Sequence, residues 1–162
     1  MQTNPVLDTT RLRLVLETTE SVLARIEALS PADRAQVSPE WLERMRTSAP
    51  SAWTHGFAMV ERATNASVGS AAFKGPPADA MVEIAYGVDQ EHRGRGYAKE
   101  AAAALVDFAF SNHDVRVVRA HTLPERNAST SVLTACGFKF LGEVMDPEDG
   151  LVWRWELAAP LG

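Results

Sequence analysis

Leu12, Leu14 and Leu16 alternate with Arg11, Arg13 and Glu17, a period of two that predicts a half-buried strand over 9–17 with the charged side chains on its outer face. The period then lengthens. Val22, Leu23, Ile26 and Leu29 recur at helical spacing behind Thr18 or Thr19 as cap, and Ser30-Pro31 ends that helix. Ser38-Pro39 starts another, with Pro39 at the first helical position and Trp41, Leu42 and Met45 on its apolar side. Residues 48–56 read as loop. Runs 57–62 and 68–74 read as two strands of a hairpin, with a further strand over 81–88. A helix over 97–110 would turn Ala98, Ala101, Ala102, Leu105, Phe108 and Ala109 inward. A β-branched strand over 115–123, a short helix over 128–136 ended by Gly137, and strands over 138–144 and 151–157 complete the chain, with Trp153 and Trp155 on one face. Strands and helices in this order predict a mixed sheet with helices packed on it, an α+β single domain over 1–162 with its core at about 9–158.

Composition narrows the class. The 162 residues suffice for one buried core, and 46% hydrophobic with 23% charged residues is ordinary for a globular chain. A net charge of −5 offers no global attraction to nucleic acid or to a membrane surface. The single cysteine, Cys136, excludes an internal disulfide and fits a reducing cytosol. The first residues lack the basic-then-apolar pattern of a secretory leader, and no apolar run approaches the ~20 residues of a membrane span, so a cytoplasmic protein is expected. The sequons at Asn65 and Asn127 are then chance matches.

The strand-to-helix joint after Val88 carries the chemistry. Gly94 and Gly96 let the backbone approach a ligand, the first turn of the following helix presents unpaired N–H groups, and Arg93 and Arg95 add charge, so the joint reads as a phosphate or pyrophosphate cradle. The bland alternative is a glycine-softened surface turn. The dinucleotide fingerprint fails because Lys99 stands where a third glycine is needed, and no nucleotide-triphosphate loop is present. Gln90-x-x-Arg93-Gly94-x-Gly96 resembles the acetyl-CoA pyrophosphate signature of the GNAT superfamily of N-acetyltransferases. Thr10-Arg11-Leu12-Arg13-Leu14, and Asn127-Ala128-Ser129 with Val132-Leu133 and Gly137-Phe138, look like the ribosomal-protein N-terminal (alanine) acetyltransferase branch.

This resemblance implies an αβα domain with a mixed, mostly antiparallel sheet. It implies transfer of an acetyl group from acetyl-CoA to a primary amine, a protein N-terminus or a small molecule, by direct attack in a ternary complex. The implied cofactor contacts are Tyr86, Gly87 and Val88 along the pantetheine arm, Gln90, Arg93, Gly94, Arg95, Gly96, Tyr97 and Ala98 at the pyrophosphate, and Asn127 and Ser129 nearer the sulfur.

Acetyl transfer needs a proton acceptor, and Glu83 is the candidate. A carboxylate in an otherwise apolar strand must face a cleft or a partner. The alternatives are a solvated strand face or an ion pair with a residue such as Arg119. Ser129 is the candidate donor to the departing sulfur; its other reading is a first-turn helix serine, as Asn127's is a helix cap. Many superfamily members place a tyrosine where Leu133 stands, so Ser129, Tyr97 or water must serve if an acid is needed. His55, His92, His113 and His121 lack metal-ligand spacing, so no metal is expected. His92 could lie beside the phosphates, His121 reads as structural, and Cys136 as buried and inert. Trp41, Trp53 and His55 are candidates for the acceptor cleft, with Trp41 also readable as core. The alternative function is a non-catalytic coenzyme A-binding or sensor module. The exposed last strands leave a homodimer open.

Overall fold

The computed structural model describes residues 6–147 and 149–160. Eight strands form one sheet: β1 (Val6–Asp8), β2 (Leu12–Leu16), β3 (Phe57–Glu61), β4 (Ser67–Phe73), β5 (Met81–Val88), β6 (Val117–Thr122), β7 (Lys139–Asp146) and β8 (Gly150–Ala158). Their order across the sheet is β1-β2-β3-β4-β5-β6-β8-β7. Every neighbouring pair is antiparallel except β5 and β6, which run parallel. The helices are α1 (Thr19–Glu27), α2 (Pro31–Ala35), α3 (Pro39–Thr47), α4 (Tyr97–Phe110) and α5 (Ala128–Ala135). The expected α+β sheet architecture is therefore present.

Alternation decides which face of each strand is buried. Leu12, Leu14 and Leu16 are buried while Arg11 and Arg13 are exposed. The core gathers these leucines with Phe57, Met59, Val82, Ile84 and Val118, and α4 closes over it with Ala101, Ala102, Leu105 and Ala109. Val106 joins that buried face, and Ala98 is only half-buried. The alanines let α4 lie close to the strands, which fixes the place of its N-terminus. A second, smaller cluster of Val22, Ile26 and Met45 joins α1 to α3, with Trp41, Leu42 and Leu29 packed against it.

Three expectations change. Glu17 is not on the outer face: it is buried and pairs with Arg25 of α1, whose side chain reaches back over it. Ser30-Pro31 does not merely break α1, because Ser30 caps α2 with Pro31 at its start. β1 was not anticipated; it extends the sheet by pairing antiparallel with β2. Gly137 ends α5 with φ of 91°, as the sequence implied.

β4 and β5 approach so closely that Gly69 admits no side chain: a Cβ there would lie 2.2 Å from the Gly87 carbonyl oxygen. β7, at the other sheet edge, leaves Phe140, Leu141 and Met145 exposed. Among the described residues no helix is long and apolar enough to cross a membrane. Gly69→Ala is expected to destabilise the fold by about 1–3 kcal/mol, since the clash is with backbone and not with a movable side chain. Urea unfolding of the purified variant measures this, and an unchanged midpoint would contradict the close approach.

Candidate active site

β5 leads straight into the glycine-containing joint. After Val88 the chain makes a single 3-10 turn, Gln90–His92, and passes through Arg93 in extended conformation. Gly94 and Gly96 both take left-handed φ, 80° and 83°, which a side chain would strain. Gly96 caps α4 without any side-chain hydrogen bond, so the first-turn N–H groups of Tyr97, Ala98 and Lys99 have no acceptor within the helix. A Cβ on Gly94 would meet nothing within 4 Å, so space is open above it. Gln90, Arg93, Gly94 and Arg95 are exposed. The Arg93 Nε donates to the Val88 carbonyl at 3.0 Å, folding the loop back on the strand. This geometry fits an anion.

Side chains beneath the joint hold it in place. Tyr97 is buried, donates its hydroxyl to Glu61 of β3, and carries the Arg11 guanidinium 4.8 Å above its ring centre. The bond to Glu61 raises the Tyr97 pKa. That hydroxyl is committed to the sheet, which leaves Ser129 or water if a proton donor is needed. Arg95 lies 3.9 Å from the same Glu61 carboxylate. Glu100, one turn into α4, accepts from the Thr9 hydroxyl at 2.7 Å and from the Arg11 backbone N–H at 3.0 Å.

The sheet opens beside the joint. β5 and β6 pair from Met81↔Val117 to Ile84↔Ala120 and no further, while β4 stays paired with β5 to Val88. Ala85, Tyr86, Gly87 and Val88 therefore have a sheet neighbour on one side only. Tyr86 is half-buried, and burial pushes its phenol pKa upward, so the group stays protonated at neutral pH. Asn127 caps α5 in a reciprocal pair with Thr130, so the cap reading is realised. Ser129 is half-buried in the first turn. Arg126, Asn127, Thr130, Ser131 and Thr134 line a cavity of about 510 Å³. Leu133 is fully buried in the core. Cys136 is half-buried, not sequestered, and burial raises its thiol pKa.

On the sheet face away from α4, Glu83 lies between Val82 and Ile84, both buried. Arg119 stands beside it in the strand register but pairs with Glu156 of β8 instead, at 2.6 Å. Glu83 has other partners. Its Oε2 lies 3.1 Å from His121 Nδ1 and 3.3 Å from the Lys74 ammonium, and Lys74 also reaches Asp149 at 3.1 Å. His121 Nε2 accepts from Arg154 Nε at 3.0 Å. Burial works against the Lys74 ammonium, but Glu83 and Asp149 outweigh it and raise the pKa above the usual lysine value. Sequence reasoning read His121 as structural and passed over Lys74, Arg154 and Asp149. Only the register His121↔Arg154 would have drawn them together. Ligating atoms of Glu83, His121 and Asp149 lie within 4.8 Å of one another, as do those of Asp89, Glu91 and His92. In the first group Lys74 already supplies the cation.

The proposed acceptor wall has packing partners of its own. His55 is buried with both ring nitrogens engaged, to Thr19 and Thr54 at 2.7 Å each, and burial lowers its pKa. Trp53 stacks obliquely on Phe73 and Phe108, and Trp41 lies against the α1–α3 cluster.

The Acetyltransferase (GNAT) domain family matches residues 9–139. The chain belongs to that family. Among curated relatives it is similar to an uncharacterized N-acetyltransferase, p20, of Bacillus licheniformis, with 27% identity over 93 residues, 57% of this chain and 52% of that protein. It is also similar to an uncharacterized N-acetyltransferase, YjdG, of Bacillus subtilis, with 33% identity over 72 residues, 44% of this chain and 43% of the relative. The match thus spans about half the length of these relatives. Solved GNAT structures share the fold over nearly the whole chain. A ribosomal L7/L12 α-N-protein acetyltransferase in complex with coenzyme A superimposes with a TM-score of 0.70 at 17% identity, covering 95% of this chain and 98% of the other. A ribosomal-protein-S5-alanine acetyltransferase from Vibrio fischeri gives 0.68 at 16% identity, covering 96% and 97%.

The Glu100 contacts make a pH prediction. Burial alone would raise this carboxyl's pKa, but the Thr9 hydroxyl, the Arg11 N–H and the Arg11 guanidinium hold it below the usual 4.5. A depressed folded-state pKa contributes stability that is present above pH 4.5 and is lost as pH falls through the folded value. The thermal midpoint of the wild type should therefore drop more steeply on acidification below that pH than the midpoint of Glu100→Gln. Parallel profiles would remove the contribution.

Proposed function

We propose that this chain is an acetyl-CoA-dependent N-acetyltransferase acting on a primary amine, a protein N-terminus or a small molecule, in a ternary complex. The observation that carries the reading is the placement of Glu83. It is a part-exposed carboxylate next to the last paired residue of β5, on a strand that continues into an anion-fitting helix start. The family match supports the reaction class, and the branch resemblance of Asn127 and Ser129 supports a peptide N-terminus among the acceptors.

The N–H groups of Gly94 to Ala98, with Arg93 and Arg95, would hold the pyrophosphate, and the backbone of Tyr86 to Val88, which has a sheet neighbour on one side only, would hold the pantetheine arm. Asn127 and Ser129 would approach it from α5. Bound there, acetyl-CoA supplies the activated acetyl group. Glu83, directly or through one water, accepts a proton from the acceptor ammonium, freeing its lone pair. The new N–C bond forms as the C–S bond breaks, and that electron pair leaves with sulfur. A main-chain N–H of β5 faces the carbonyl oxygen as charge grows on it. Ser129 donates a hydrogen bond to the sulfur. The ammonium gives up two protons in all: the first, held by Glu83, is released to solvent, and the second, lost from nitrogen as the amide forms, ends on the departing sulfur, so the products are the amide, free coenzyme A and one proton.

Two experiments test this. Acetyl-CoA at about 100 times its dissociation constant should stabilise the protein by ~2.7 kcal/mol, read as a higher thermal midpoint, with NAD producing none. Gly94→Val, strained at positive φ and placed in the open space above the joint, should lose that shift while remaining folded. A retained shift would remove the joint from the cofactor site. Glu83→Gln should slow free-thiol release in the presence of an amine by roughly 10²- to 10⁴-fold while keeping the acetyl-CoA shift. Binding without turnover in the wild type, across protein N-termini and small amines, would favour a sensor module.

A further inference from the structure

His121 is bound at both ring nitrogens by groups whose roles are fixed. Arginine carries only donors and stays protonated, so the Arg154 Nε–H donates and His121 Nε2 accepts. The ring's hydrogen then stands on Nδ1 and points to Glu83 Oε2, 3.1 Å away. The His121 side chain is only 4% exposed, which holds the ring against rotation, whereas Glu83 is 20% exposed. Lys74 approaches the same Oε2. Both donors thus fall on one carboxylate oxygen, and among the described residues Oε1 has no hydrogen-bond or ion-pair partner.

We propose that His121 is a positioning residue, locked by Arg154 as the Nδ1–H tautomer, which ties down Glu83 Oε2 so that Oε1 faces the acceptor amine or its bridging water. The proposal rests on the reading of Glu83 as proton acceptor. No proton passes through His121. It donates one hydrogen bond throughout, while Oε1 takes the proton that the amine gives up. Its surroundings explain why a lone histidine can hold this state. Arg154 on β8 keeps Nε2 bare, Glu83 on β5 takes the Nδ1 hydrogen, and Arg119, which could have competed for Glu83, is occupied by Glu156. Lys74 is shared with Asp149, so a single donor cannot orient the carboxylate as firmly as two from different elements.

The test has two arms. Long-range ¹H–¹⁵N spectra of ¹⁵N-histidine-labelled full-length protein at pH 7 need no acceptor. His121, assigned by its loss in His121→Asn, should show a protonated Nδ1 and a bare Nε2, and Arg154→Met should abolish that preference. A wild-type ring protonated at Nε2, or at both nitrogens, overturns the proposal. The second arm measures kcat and the acetyl-CoA KM, using peptides with N-terminal alanine or serine and spermidine as acceptor probes. His121→Ala and His121→Gln should lower kcat by about 10- to 100-fold with the acetyl-CoA KM unchanged, because the base is misplaced rather than removed. His121→Asn, which keeps an N–H near the Nδ1 position, should recover most of the rate. Equal loss in all three variants at wild-type thermal midpoints, or no loss in His121→Ala, overturns the proposal. Glu83→Gln, run alongside, separates the layers. If it retains full rate, Glu83 is not the base. If it is slow while His121→Ala is normal, only the positioning role falls. Should none of the probes turn over, the tautomer decides alone.

Discussion

β5 has two neighbours that pull it into different company, and the candidate active site exists because of that. On one side β4 stays with it to Val88, packed so closely that only glycine fits at position 69. On the other side β6 follows only to Ile84 and then stays with β8, pairing from Val117↔Ala158 to Thr122↔Trp153. The Trp155 indole N–H, 3.1 Å from the Thr122 hydroxyl, reinforces the second allegiance. Backbone groups on the free side of Ala85 to Val88 have no strand to pair with: the Val88 carbonyl takes the Arg93 Nε–H, and the exposure of Ala85 and Gly87 leaves the opening accessible from solvent. A gap of this kind is stable only if water or a ligand enters it. The chain that lines the gap runs without interruption into the joint at Gly94 and Gly96, so one segment joins the opening in the sheet to the start of α4.

Elements with strong local patterns were legible in the sequence. The strand over 81–88 and the helix over 97–110 match β5 and α4 in the structure, because the apolar run and the alanine-rich periodicity each span enough residues to fix the period. β1 and α2 were not legible for the same reason inverted. β1 has three residues, and its strand character comes from pairing with β2. α2 has five residues and none buried, so it offers no apolar stripe; its only signal was Ser30-Pro31, which serves equally as a break and as a start. Glu17 followed the alternation in sequence yet lies buried, because Arg25, two turns into the following helix, compensates its charge.

The candidate site divides along the same line. The joint from Gln90 to Ala98 is contiguous, so residue types and spacing sufficed to expect an anion cradle there, and the structure shows two left-handed glycines and a helix start at that place. The surroundings of Glu83 are assembled from β4's end, β6, β8 and the turn before β8, and no local pattern encodes that assembly. Even strand register misleads here. Arg119 is the register partner of Glu83, but its antiparallel neighbour Glu156 takes it, and His121, two positions on, turns to the carboxylate instead. Which cation finds which anion depended on a competition between strands far apart in sequence.

That competition bears on how an amine could lose its proton here. Lys74 lies beside Glu83 with its pKa raised by Glu83 and Asp149 over the opposing effect of burial, so it remains an ammonium at neutral pH. It cannot serve as the base, and its charge resists a second ammonium at the same carboxylate. If Glu83 is the proton acceptor proposed above, an incoming amine would meet a site that disfavours its charged form while offering it a single oriented oxygen. On that reading, repulsion from Lys74 would lower the acceptor's hold on its proton, and Oε1 of Glu83, which has no partner among the described residues, would be where the proton goes. Asp149, before β8, also pairs with Lys74 at 3.1 Å, and on the same reading it would temper how strongly that repulsion acts.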